Sequence, residues 1–134
     1  MDSRDCNRKG YRGSFTSSFS YAFEGLMFVL RTERNIKFHV FIAVVMIGMS
    51  LFFQITKVEW LILFLVIGGM FVIEIINTAI ENVVDLVTEE YHPLAKTAKD
   101  VAASAALVFA CISVIIGVIL FGPYITIFLI GELP

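Results

Sequence analysis

Between Glu74 and Asp85 the chain reads Glu74-Ile-Ile-Asn77-Thr78-Ala-Ile-Glu81-Asn-Val-Val-Asp85, with three carboxylates and an amide inside a segment otherwise apolar enough to cross a membrane. At about 100° per residue on a helix, Glu74, Asn77, Thr78, Glu81 and Asp85 fall on one stripe. Ile73, Ile75, Ile76 and Val83 lie off it. An acidic group at bilayer depth costs at least ~2.5 kcal/mol on insertion scales. A fold that keeps this segment in lipid must turn the stripe toward other helices or water. It must also supply a cation, a proton or a partner charge.

The rest of the chain fits a membrane setting. Its 134 residues are 58% hydrophobic and their mean hydropathy is +0.87, which suits a small polytopic membrane protein better than a soluble domain. Residues 38–55 are apolar apart from His39, Ser50 and Gln54, and just long enough to span. A second span, 60–87, carries the acidic stripe. A third, 95–122, is expected to stop at Pro123, leaving a short apolar tail that is either helix extension or interfacial segment. Ahead of these, within residues 1–37, Phe15, Phe19, Phe23, Leu26 and Leu30 recur at helical spacing and mark an amphipathic helix on the membrane surface. The expected fold is thus all-α and integral to the membrane, with a surface helix and three transmembrane helices in one domain.

Charge orients the spans. Arg4, Arg8, Lys9, Arg12, Arg31, Arg34 and Lys37 precede the first span, and Lys96 and Lys99 sit at the connection between the second and third. Only Lys57 follows the first span, and no basic residue follows the third. The positive-inside rule puts the N-terminus and the second connection in the cytoplasm. The stripe then lies in the cytoplasmic half of its span, on the side where ATP and magnesium are found. No apolar core follows the polar, basic residues 2–13, so a cleaved signal peptide is not expected. Cys6 and Cys111 supply neither a disulfide framework nor a zinc site, and no nucleic-acid partner is expected.

The spacing within the stripe separates two tasks. Glu74 and Glu81 are two helical turns, about 10 Å, apart and cannot share one metal ion. Glu81, nearer the surface, can reach a hydrated cation. The deeper Glu74 sits where apolar surroundings suit a general base. Magnesium takes one or two carboxylates, with phosphates and water completing its shell. Glu33, entering the first span from the same side, is the candidate second ligand. Lys99 can supply positive charge to a phosphate, and Asp100 can hold that lysine or a sugar hydroxyl. Asp85 reads as helix-end solvation, His39 and Trp60 as interface markers, and Gly68-Gly69 and the run Ala102-Ala103-Ser104-Ala105-Ala106 as close helix packing. No Gly-x-x-x-x-Gly-Lys loop, dinucleotide glycine motif or kinase catalytic loop occurs. A nucleotide must be held by another device, and a small cation or proton pathway is the competing reading of the stripe.

The run E-x-x-N-T-A-I-E-x-x-V-D, followed by E-Y-H-P-L-A-K-T-A-K-D, resembles the signature of the small bacterial diacylglycerol kinase family of integral membrane lipid kinases. The resemblance covers nearly the whole chain, from Ser18-Phe19 and Tyr21 through Arg31-Thr-Glu-Arg-Asn35 to the third span. The Arg31–Asn35 and His92–Lys96 segments are similar to the Gram-positive branch, which the family associates with undecaprenol phosphorylation. The resemblance implies a homotrimer with active sites shared between chains, ATP as phosphoryl donor, Mg2+ as cofactor, and undecaprenol or diacylglycerol as lipid acceptor. It makes Glu74 the catalytic base and Asn77 its polar neighbour. Glu33 and Glu81 match metal ligands, and Tyr21, Glu90, Tyr91, His92, Lys99 and Asp100 match nucleotide contacts. The chain departs from the family pattern at Ser14, Thr16 and Ser17, where basic residues are frequent. Arg12 is the nearest basic residue that could take their place.

Overall fold

A computed structural model describes residues 15–88 and 90–131. Cys6, Ser14 and the basic residues Arg4, Arg8, Lys9 and Arg12 lie outside the described residues, as does the side chain of Phe15. Among the described residues four helices follow one another: α1 (Phe15–Thr32), α2 (Arg34–Phe53), α3 (Lys57–Val87) and α4 (Pro93–Ile130). The last three are long and apolar enough to cross a membrane. At about 1.5 Å per residue, the 31 residues of α3 and the 38 of α4 exceed a hydrocarbon core of about 30 Å, so both project beyond it.

The helix ends follow local chemistry. Between α1 and α2 only Glu33 is extended (φ −84°, ψ 126°), and its N–H still donates to the Val29 carbonyl at 2.9 Å. Lys37 Nζ donates to the Arg31 carbonyl at 2.7 Å and so satisfies an acceptor left open at the end of α1. The first span therefore begins four residues before the apolar run, because Arg34 and Lys37 continue the same helix at the level where basic side chains reach polar surroundings. At its far end Gln54 adopts the left-handed conformation (φ 51°) and its N–H donates to Ser50 O. Thr56 and Glu59 then form a reciprocal capping box that starts α3. His92 caps α4 by accepting from the Leu94 N–H at 3.2 Å, with Pro93 in the first turn where it lacks nothing the helix needs.

The expected stop at Pro123 does not occur. α4 continues through it to Ile130 and closes on Gly131 at φ 81°, so the apolar tail is helix extension. Proline removes one backbone hydrogen bond, but ending the helix in an apolar setting would leave several polar groups open. The extension is also tied down from outside. Tyr124 Oη donates to Glu59 Oε2 at 2.8 Å, and Phe128 packs edge-on against Phe52 and Phe53.

The apolar core sits at this end, where Ile55, Leu63, Leu120 and Phe121 are buried against one another with Met46, Phe53, Trp60 and Tyr124 around them. Elsewhere the helices turn apolar side chains outward. Leu107, Val114, Val118 and Ile119 of α4 are all well exposed, an arrangement stable when the solvent is lipid. Small residues set the close approaches. Ala102 and Ala106 are buried, Ser50 is fully enclosed, and a Cβ added to Gly69 would lie 2.5 Å from Phe109 Cζ on α4. Gly68 faces open space. We therefore expect Gly69→Ala to cost about 1–3 kcal/mol by displacing the Phe109 ring, while Gly68→Ala is neutral or slightly stabilising. Thermal unfolding in detergent checks both, and equal losses would show that α3 packs through a different face.

Candidate functional site

Helix periodicity places the polar stripe as the sequence requires. Glu74, Asn77 and Thr78 are the buried polar residues of α3, Glu81 is half-buried, and Asp85 is exposed. The stripe is thus graded along the helix axis from enclosed to solvated. Each member has found a different partner.

Glu74, only 4% exposed, faces α2, where His39 Nε2 stands 3.3 Å from its Oε1. One turn on, the Thr78 hydroxyl donates to the Glu74 carbonyl at 3.0 Å and so consumes its own donor on the backbone. Asn77 Nδ2 donates to Glu81 Oε1 at 2.9 Å. A carboxylate only accepts, so this contact fixes the amide and turns Asn77 Oδ1 away from Glu81. That oxygen is buried and has no hydrogen-bond partner. A buried orphan acceptor is costly unless something fills it, which marks the side of Asn77 turned away from Glu81 as suited to a donor or a cation. The donors there are all hard oxygens, the kind magnesium selects. Among the described residues no three His, Cys, Asp or Glu side chains cluster as a self-sufficient metal site. A magnesium ion carrying phosphate and water needs no such cluster.

A second feature lies where α3 ends and α4 begins. Asp85, Glu90, Tyr91, His92, Lys96 and Lys99 are among the residues lining a polar cleft of about 510 Å³, within the ~300–1,000 Å³ of small-molecule sites. Lys99 Nζ lies 2.5 Å from Asp85 Oδ1 and Lys96 Nζ 2.6 Å from Asp100 Oδ2. Two expectations are corrected here. Asp100 does not hold Lys99, because one turn of helix brings Lys96 to it instead. Asp85 is more than a solvated helix end, because it reaches across the hairpin to Lys99. Both pairs are largely exposed and contribute little stability, at most about 1 kcal/mol each, so both lysines can change partner cheaply. Glu33 is half-buried at the start of α2, and Tyr21 is exposed on α1.

His39 was read from sequence as an interface marker and is instead the neighbour of Glu74. The available signal was its place on the inner stripe of α2, between the buried Ile36 and Ala43. Nothing in α2 alone says which α3 residue it meets.

Residues 20–121 match the family of prokaryotic diacylglycerol kinases. Among individual proteins, the undecaprenol kinase of Bacillus subtilis is 48% identical over 92% of this chain and 98% of its own length. The diacylglycerol kinase of Synechocystis is 40% identical over 75% of this chain and 58% of its own. That of Helicobacter pylori strain J99 is 37% identical over 75% and 77%.

Proposed function

The chain belongs to the prokaryotic diacylglycerol kinase family, whose members are lipid kinases, and on that premise we propose that it passes the γ-phosphate of ATP to the hydroxyl of undecaprenol at the cytoplasmic membrane. The observation that carries this reading is the graded stripe of α3, in which an enclosed carboxylate, a buried orphan acceptor and a solvated carboxylate follow one another toward a polar cleft. Glu74 is the general base and Asn77 its polar neighbour. Glu33 and Glu81 hold magnesium, and Tyr21, Glu90, Tyr91, His92, Lys99 and Asp100 receive the nucleotide. The N-terminus and the site face the cytoplasm, and α1 lies on the membrane surface.

Phosphoryl transfer asks mainly for positioning and charge neutralisation. The acceptor oxygen attacks the γ-phosphorus, the bond from that phosphorus to the β–γ bridging oxygen breaks, ADP departs, and the hydroxyl proton passes to Glu74. Bound magnesium would neutralise charge on the β- and γ-phosphate oxygens. Lys99 can leave Asp85 for a phosphate, since its present pair is exposed and weak. A cation or proton pathway gives no role to the Lys99–Asp85 pair or to the cleft beyond it.

With purified protein and radiolabelled ATP, Glu74→Gln is expected to lose lipid phosphorylation by at least about a hundredfold while retaining nucleotide binding. Glu33→Ala and Glu81→Ala are each expected to weaken magnesium–nucleotide binding, with partial rescue at higher magnesium. Near-normal turnover by folded Glu74→Gln removes the base assignment. Unchanged ATP affinity in both alanine variants puts the metal elsewhere.

The acceptor follows from α1 and from the likeness to an undecaprenol kinase. Phe19, Phe23 and Phe28 are exposed on α1, which favours an apolar tail carrying one hydroxyl over a glycerol diester. Ester oxygens left unpaired in a desolvated site cost ~1–3 kcal/mol, so a C55 polyprenol should exceed diacylglycerol roughly ten- to a hundredfold in kcat/KM. Equal or higher values for diacylglycerol would make that lipid the acceptor and leave the kinase reading standing.

We further propose a homotrimer with composite sites. A single chain leaves Asp85, Lys96 and Asp100 exposed and Glu81 half-covered, too little enclosure for chemistry that must exclude water. Mixing Glu74→Gln subunits with Lys99→Ala subunits, inactivated at a nucleotide residue, should restore some activity. Full activity from a demonstrable monomer refutes sharing.

A further inference from the structure

We propose that His39 is the positioning residue for the base, setting the direction in which the Glu74 carboxylate meets the acceptor hydroxyl; this rests on the kinase reading above. Glu74 is almost wholly enclosed, and Thr78 spends its hydroxyl on the Glu74 backbone rather than on the carboxylate. Asn77, the next polar group on the stripe, is committed to Glu81. The group close to the carboxylate is His39 Nε2, at 3.3 Å from Oε1 and presented from a different helix. An imidazole N–H turned onto one carboxylate oxygen from this distance would leave the other to receive a proton, and would also fix the plane of the carboxylate.

The surroundings of His39 support this assignment. The ring packs edge-on against Phe38, with centroids 5.8 Å apart, which limits its own rotation. The same side chain lines a groove of about 570 Å³ between α2, α3 and α4 that is otherwise almost wholly apolar, with Ser113 its only other polar side chain. His39 therefore stands where an apolar space meets the enclosed carboxylate. An alcohol whose hydrocarbon approaches from the groove would bring its hydroxyl to this junction. A residue that orients Glu74 there affects the transfer step and leaves the nucleotide cleft, two turns and more away along α3, untouched.

The test compares His39→Gln, which keeps an N–H donor at similar reach, with His39→Met and His39→Phe, which fill the space without one. Turnover is measured in mixed micelles with a C55 polyprenol, with kcat and both KM values determined and thermal unfolding followed alongside. The donorless variants are expected to lose about ten- to a hundredfold in kcat, with KM for ATP within about threefold and melting unchanged. His39→Gln is expected to recover most of that loss. Equal losses in all three variants, an effect confined to KM for ATP, or near-normal kcat in a donorless variant would overturn the inference. So would failure of both donorless variants to fold, which would assign His39 to the fold instead. Absence of lipid-dependent turnover in the unsubstituted protein would overturn the kinase reading itself, and this inference with it. An active parent with unaffected variants would remove the role of His39 alone.

Discussion

Enclosing a carboxylate in a helix that crosses lipid is the constraint around which the other helices are arranged. Glu74 cannot face hydrocarbon, so the stripe that carries it must be the inner face of α3, and another helix must bring a polar group to it. α2 does so with His39. The buried residues of α2 (Ile36, Ala43, Ser50) and three of those of α3 (Leu63, Met70, Asn77) recur every seven positions. That is the period at which two helices keep one seam in register over many turns. The small residues on these seams let the backbones approach until a 3.3 Å contact between side chains is reachable.

The two ends of the bundle are held by different physics. Near the α2–α3 turn, an apolar cluster and a group of aromatic rings pack as a soluble core would, and the Tyr124–Glu59 contact adds a polar tie. At the α3–α4 hairpin an ion pair, Lys99–Asp85, joins the two helices, and a second, Lys96–Asp100, lies exposed along α4. Exposed pairs exchange partners at little cost, whereas a packed core does not. The arrangement puts rigidity away from the cleft and exchangeable charge at it, which suits a site that must admit and release a highly charged molecule.

How much of this was legible in sequence depended on whether a feature lives within one helix or between two. The number and order of the helices, and the face carrying Glu74, Asn77 and Glu81, follow from local hydropathy and the 3.6-residue period, and both appear as expected. The meeting of His39 with Glu74 depends on the axial register of α2 against α3, which no local pattern encodes. The Lys99–Asp85 pair likewise depends on how the hairpin folds back, whereas the Lys96–Asp100 pair is local, four residues apart on one helix. Pro123 was misjudged for another reason. The rule that proline ends helices assumes water waiting to satisfy the freed carbonyl, and that assumption fails where the alternative to helix is open backbone in an apolar setting.

The stripe also shows how one residue type can serve several purposes on one helix. Glu74, Glu81 and Asp85 carry the same functional group, and their sequence spacing of seven and four residues becomes axial steps of about 10 and 6 Å. Over that distance exposure rises from nearly none to more than half, and the partner changes from imidazole to amide to ammonium. Depth alone therefore separates a nearly enclosed carboxylate from a half-buried one and from one paired at the surface. Lipid alcohols are confined to the apolar end of such a gradient and nucleotides to the solvated end. A helix graded in this way is a direct means of bringing the two to within reach of each other, because the rise per residue fixes the distance between their sites.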